Sequence, residues 1–134
     1  GDFRGHFIVE DRLGYLRTES VVQWDGVLIC IDGLEIHVRK RQAVSIRAGR
    51  PWVQTVDYAY QVLRRQGDDV RNLFRYDNSV HHDHPDSHHR HQYDEEGNER
   101  LPPEHVGADG WPTLGDVIVE AFEWWHANDR GAQP

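Results

Sequence analysis

After the tight-turn dipeptide Asp32-Gly33, Leu34, Ile36 and Val38 alternate with Glu35, His37 and Arg39. A period of two sends apolar side chains to one face of an extended chain and polar ones to the other, so this is a half-buried strand entered through a hairpin. It limits the neighbouring segments to partners in a sheet. Upstream, Val27 to Ile31 is a short continuous apolar run that reads as a central strand. Asp25-Gly26 before it reads as a turn. Val21-Val22-Gln23-Trp24 and His6-Phe7-Ile8-Val9 are further strand candidates, while residues 13–19 fit helix or strand equally.

Downstream, Gly49-Arg50-Pro51 breaks the chain. Trp52, Val56, Tyr58, Tyr60 and Val62 then share one parity, and Gln66-Gly67-Asp68-Asp69 reads as a turn. In the strand Val70 to Tyr76 that follows, Val70, Phe74 and Tyr76 take one face. Arg71, Leu73, Arg75 and Asp77 take the other. Short strands joined by tight turns predict an antiparallel meander.

Residues 78–112 are polar, rich in histidine and interrupted by Pro85, Pro102 and Pro103. Asp94 to Glu99 reads as an exposed hairpin tip within them. The last element is a helix. Thr113 and Asp116 fit a capping box, and Leu114, Val117, Ile118, Ala121, Phe122 and Trp125 form one apolar stripe. Trp124 and Trp125 read as core plus flank, with a partner-binding surface as the alternative. The expected fold is α+β: a single domain over residues 1–134, with one antiparallel sheet of about five or six strands over about 6–93. A loop over about 94–112 leads to a C-terminal helix, about 113–127, packed on that sheet.

With 134 residues the chain suits one domain, and five Trp, five Tyr and four Phe compensate for a modest apolar content of 37%. The net charge of −8 argues against non-specific nucleic-acid binding through the overall field, but fourteen Arg leave room for a local basic site. Asp outnumbers Glu and Lys40 is the one lysine, a balance that fits a salt-adapted or a GC-rich source. Cys30 is alone, so no internal disulfide forms, and its apolar run predicts a buried, inert thiol. There is no stretch of membrane-spanning length and no signal-peptide pattern, so no membrane partner and a cytoplasmic location are expected.

Chemistry concentrates in one segment. Arg75-Tyr76-Asp77-Asn78 is followed by six histidines: His81, His82, His84, His88, His89 and His91. Three readings compete. The cluster is a polar loop without a role. Alternatively His81, His82 and His84, with Asp83 or Asp86, bind Zn, Ni or Mn, although no sharp ligand spacing is present. The third reading is metal-independent acid–base cleavage of RNA, with no cofactor. Here His88, His89 and His91 would move protons, and Arg75 would hold phosphate. Asp77 would orient a histidine, while Tyr76, Asn78, Arg90 and Tyr93 would bind substrate. If His88 to His91 opens a strand beside Arg75 and Asp77, the two clusters share a sheet face, with His89 and His91 pointing the same way. Taken alone, Arg75 and Asp77 also read as a plain surface ion pair.

Leu73-Phe74-Arg75-Tyr76-Asp77-Asn78, then His88-His89-Arg90-His91, then the helix Leu114 to His126 resembles the TumE-like family of small prokaryotic toxins, over roughly residues 50–126. The family pattern has a strand ending in Phe-Arg-Tyr-Asp-Asn, a short loop and Pro-His-His-Lys-His. This chain departs from it in the extra His81, His82 and His84, in Ser87 for Pro, and in Arg90 for Lys, which keeps the charge. The resemblance implies the toxin of a type II toxin–antitoxin pair, neutralised by a helix-turn-helix antitoxin. RNA as substrate comes from the residue chemistry. A homodimer and a non-catalytic metal-binding or protein-interaction module stay open as alternatives.

Overall fold

The computed structural model describes residues 4–78, 88–107 and 110–128. A short helix α1 (Arg4–Phe7) leads into β1 (Ile8–Arg17), β2 (Val21–Cys30), β3 (Leu34–Arg47), β4 (Arg50–Gln66), β5 (Asp69–Asp77), β6 (His89–Tyr93) and β7 (Glu99–His105), and the chain closes with α2 (Leu114–Asn128). All seven strands form one antiparallel sheet in chain order, the meander expected.

Among the described residues the sheet has seven strands rather than five or six. β7 falls inside the stretch read as a loop, and β1 takes in most of the undecided residues 13–19. His6 and Phe7 belong to α1 rather than to a first strand. The second correction concerns Asp25-Gly26, which does not turn. β2 runs straight through it, with Gly26 paired to Leu13 on one side and Val38 on the other. Gly26 has φ 145°, and a Cβ there would lie 2.3 Å from the Arg12 carbonyl oxygen. The glycine serves a close backbone approach rather than a reversal.

Asp32-Gly33 does turn. Both residues adopt left-handed angles (φ 54° and 79°), which matches the twist of the flanking strands. Ala48 and Gly49 repeat this at the next hairpin, with φ 51° and 75°.

The core lies between one sheet face and α2. Leu28, Ile36, Val38, Tyr60, Val62, Phe74 and Tyr76 pack with Val117 and Ala121 of the helix. Phe7 sits edge-on to Phe122, with ring centroids 5.6 Å apart, and Trp125 completes that aromatic corner. Cys30 is buried there as expected, and burial pushes its thiol up to about 12. The predicted capping box is present: Asp116 N–H donates to Thr113 Oγ1 (3.1 Å), and Thr113 N–H donates to an Asp116 carboxylate oxygen (2.9 Å). The helix therefore begins at Leu114, leaving the other sheet face without a helical cover among the described residues.

Candidate functional site

Cross-strand register determines which side chains meet. Gln61 lies opposite His37 and Arg75, and Arg75 lies opposite His91. In the adjoining row, Ala59 lies opposite Arg39 and Asp77, Asp77 opposite His89, and His89 opposite His105. Directly opposed residues share a face. Two rows of polar side chains thus cross the sheet on the face away from α2.

Asp77 is the hub. It is 4% exposed, and one of its carboxylate oxygens accepts from Arg75 Nε at 2.8 Å while lying 3.1 Å from His91 Nε2. Its other oxygen is 3.7 Å from His89 Nδ1, within ion-pairing reach but beyond a hydrogen bond. A buried carboxylate is costly unless cations and donors surround it, and these three residues do so. His91 is held at both ends, because its Nδ1 lies 2.6 Å from a Glu99 oxygen. His89 is fully buried under the ring of His105, with centroids 4.7 Å apart. Tyr93 borders the cluster. Burial, then Glu99, raises its hydroxyl above the usual range, partly offset by Arg75 and by a Gln61 hydrogen bond.

The small side chain of Ala59 leaves a depression between these walls. Two adjoining hollows of about 430 and 270 Å³ share Arg39, Ala59 and Arg75. The larger also meets Arg41, Asp57, Asp77 and Asn78, and the smaller meets Asp25, His37 and Gln61. Arg41 is occupied by Asp57 at 2.7 Å. Arg39, opposite Asp25 on β2 and Ala59 on β4, lines both hollows and brings a second guanidinium to the groove beside Arg75.

Of the residues singled out by sequence, Arg75, Asp77, His89, His91 and Tyr93 come together. The others do not join them. His88 precedes β6 and goes to the opposite face, where its ring packs against those of Tyr58 and Trp111 (centroids 5.8 and 5.4 Å), which also contact each other, and its Nδ1 lies 2.9 Å from the Tyr58 hydroxyl. Tyr76 and Arg90 also face the helix. The Tyr76 hydroxyl donates to Glu120 at 2.6 Å, and Arg90 donates both to Tyr76 (3.1 Å) and to Glu120 (2.6 Å). Burial and Glu120 push the Tyr76 hydroxyl up to about 12.

The Asn78 amide is spent on β4, accepting from Tyr58 N–H and donating to the Val56 carbonyl, both at 2.9 Å. His81, His82 and His84, with Asp83 and Asp86, lie in 79–87, outside the described residues. Among the described residues, no three His, Cys, Asp or Glu are grouped to hold a metal ion.

Sequence reasoning missed Glu99 and His105, because β7 was read as loop. It also missed Arg39 and His37 as site residues. They were visible as the polar half of the β3 alternation, but nothing in the sequence placed them opposite β5.

The site is thus a buried Asp that gathers Arg and His at the edge of an arginine-lined groove, on the sheet face away from α2. The chain matches the family described as toxin TumE over residues 5–123, and it belongs to that family. No curated protein and no solved structure matched it. Among the described residues no helix is long and apolar enough to cross a membrane.

Proposed function

We propose that this toxin is a ribonuclease that cleaves RNA by acid–base chemistry at the Asp77 cluster. The observation that carries the reading is His91, locked between Asp77 and Glu99 beside Arg75. Cleavage through the 2′-hydroxyl needs one group to take that hydroxyl's proton and another to protonate the departing 5′-oxygen. His91 takes the second role. Arg75 and Arg39 supply guanidinium groups to the phosphate, whose charge builds as the 2′-oxygen attacks. Asp77 orients His91 and Arg75, and the buried His89 braces Asp77 from behind. Tyr93 sits where a base can stack.

Membership of a toxin family supports a second part of the proposal: a helix-turn-helix antitoxin, encoded next to the toxin, binds and neutralises it. The test is induction of wild-type, His91→Ala and Arg75→Ala chains without antitoxin, followed by incubation of each purified protein with total cellular RNA, with and without chelator. Growth arrest and RNA fragmentation by the wild type alone, unaffected by chelator, is the expected result. Equal arrest by all three chains sinks the role of the cluster, and cleavage abolished by chelator replaces the metal-independent mechanism. Co-expression of the neighbouring gene should restore growth.

A further inference from the structure

A second histidine–carboxylate pair stands across the groove from the first. His37 Nε2 lies 2.9 Å from a Glu35 carboxylate oxygen, and the same carboxylate is held from the other side by Arg65, with Nε at 2.8 Å. His37 is 39% exposed and lines the smaller hollow together with Arg39 and Arg75. It occupies the same register row as His91, through Gln61 and Arg75. Four adjacent strands put the two backbones about 14 Å apart, at the usual spacing between strands. His37 lines the smaller hollow, and Asp77, which holds His91, lines the larger one beside it.

The two histidines differ in their partners, and the difference is the argument. His91 has a carboxylate at each ring nitrogen. His37 has a carboxylate at Nε2 only, and its Nδ1 has no partner among the described residues. A carboxylate that accepts from one nitrogen fixes the tautomer and leaves the lone pair on the other. His37 thus keeps an acceptor nitrogen, whereas carboxylates hold both nitrogens of His91. Arg75 lies between the two histidines in the row, and Arg39 stands two residues along β3 from His37.

We infer that His37, oriented by Glu35, is the general base of the cleavage and takes the 2′-hydroxyl proton, opposite His91 as the acid. This rests on the ribonuclease reading and deepens it. The 2′-oxygen bonds to phosphorus as its proton passes to Nδ1 of His37. The bond from phosphorus to the 5′-oxygen breaks, and that oxygen takes a proton from His91. The products are a 2′,3′-cyclic phosphate and a 5′-hydroxyl end. The two rings then exchange protons with water to return to their starting states. Besides Glu35 and Arg39 on its own strand, the charged and polar groups around His37 are Asp25 on β2, Gln61 and Arg65 on β4, and Arg75 on β5. Arg12 on β1 lies within electrostatic reach of Glu35.

The experiment uses the full chain, a labelled single-stranded RNA of mixed sequence, and the same strand with 2′-deoxy sugars. The wild type should cut the RNA and leave the deoxy strand intact. His37→Ala should lower kcat by about 10²- to 10⁴-fold, with KM nearly unchanged. It should also lose the acid limb of the pH–rate profile, the limb that requires a neutral base, and added imidazole should restore part of the rate. His91→Ala should lose the alkaline limb instead. Glu35→Gln keeps the size of the side chain and should cost kcat about tenfold, the scale of losing a partner that orients a histidine, which guards against a loss caused by misfolding. If the wild type cuts RNA and His37→Ala cuts it equally well, the base assignment is overturned while the ribonuclease reading stands. If the wild type leaves both strands intact, both fall together.

Discussion

The two faces of the sheet are built from the same strands and the same alternation, yet they solve different problems. On the face under α2, Leu28, Ile36, Val38, Tyr60 and Val62 meet Val117 and Ala121. Their contribution is removal of apolar area from water, which needs a cover but tolerates changes in geometry. On the open face the directly opposed residues are His37, Gln61, Arg75 and His91 in one row, and Arg39, Ala59, Asp77 and His89 in the next. These groups depend on one another for charge balance, so their value depends on exact partners rather than on area. A folding face can be inexact. A face that holds Asp77 buried among Arg75, His89 and His91 cannot, and such groups persist where function requires them.

The contrast can be broken first on the covered face. Ile36 is fully buried at the centre of the sheet. Ile36→Ala should cost about 2–5 kcal/mol, the sum of lost transfer energy and the cavity left behind. Denaturant unfolding reads this directly. The protein that remains folded should keep its toxicity, because Ile36 touches nothing on the open face. A stable Ile36→Ala protein without toxicity would mean that the two faces are coupled.

A smaller effect tests Tyr76 and Arg90, which the sequence assigned to substrate and the structure places against the helix. Glu120→Ala removes the acceptor that both of them share. The group is only partly buried, so the expected loss is about 1 kcal/mol of stability, the scale of a single hydrogen bond. Growth arrest should be unchanged. Loss of arrest with stability intact would return Tyr76 and Arg90 to the site.

What could be read from the sequence follows from how local each feature is. The β3 alternation, the Asp32-Gly33 turn, the capping box and the stripe on α2 are all set within a few residues, and all are present. β7 was not readable. Glu99-Arg100-Leu101-Pro102-Pro103-Glu104-His105 lacks β-branched residues and carries two prolines, which a strand tolerates at the edge of a sheet but which otherwise signal a loop. With β7 went Glu99, and so the second carboxylate on His91. Asp25-Gly26 carries the same signal as Asp32-Gly33, and only the neighbouring backbone of Arg12 distinguishes a close approach from a turn. The histidine run was recognised as a group, but alternation divides it: His89 and His91 go to the cluster, and His88 goes to the aromatic stack with Tyr58 and Trp111. The sequence contains that division, but only once the first residue of the strand is known. The opposition of His37 to His91 is not local at all. It exists only through the register of four strands.

The smallest effect separates the faces by acidity. The Arg65 hydrogen bond, then His37, holds the Glu35 carboxyl below its ordinary value of 4.5. A carboxyl lowered in the folded chain contributes stability that is fully present above that ordinary value. The contribution is lost as pH falls through the folded one. Arg65 is 47% exposed, so solvent screening keeps the pair's contribution small. Arg65→Gln should therefore be slightly less stable than the wild type at neutral pH, and the gap should close as pH drops below about 4.5, the ordinary value for Glu35. Unfolding midpoints measured across that range give the answer. Ile36→Ala supplies the reference, since a cavity among apolar groups has no proton to gain and its deficit should stay constant over the same window. If the Arg65→Gln gap is also constant, the Glu35–Arg65 contact is packing rather than charge. The open face would then be held, at this end, by the same physics as the covered one.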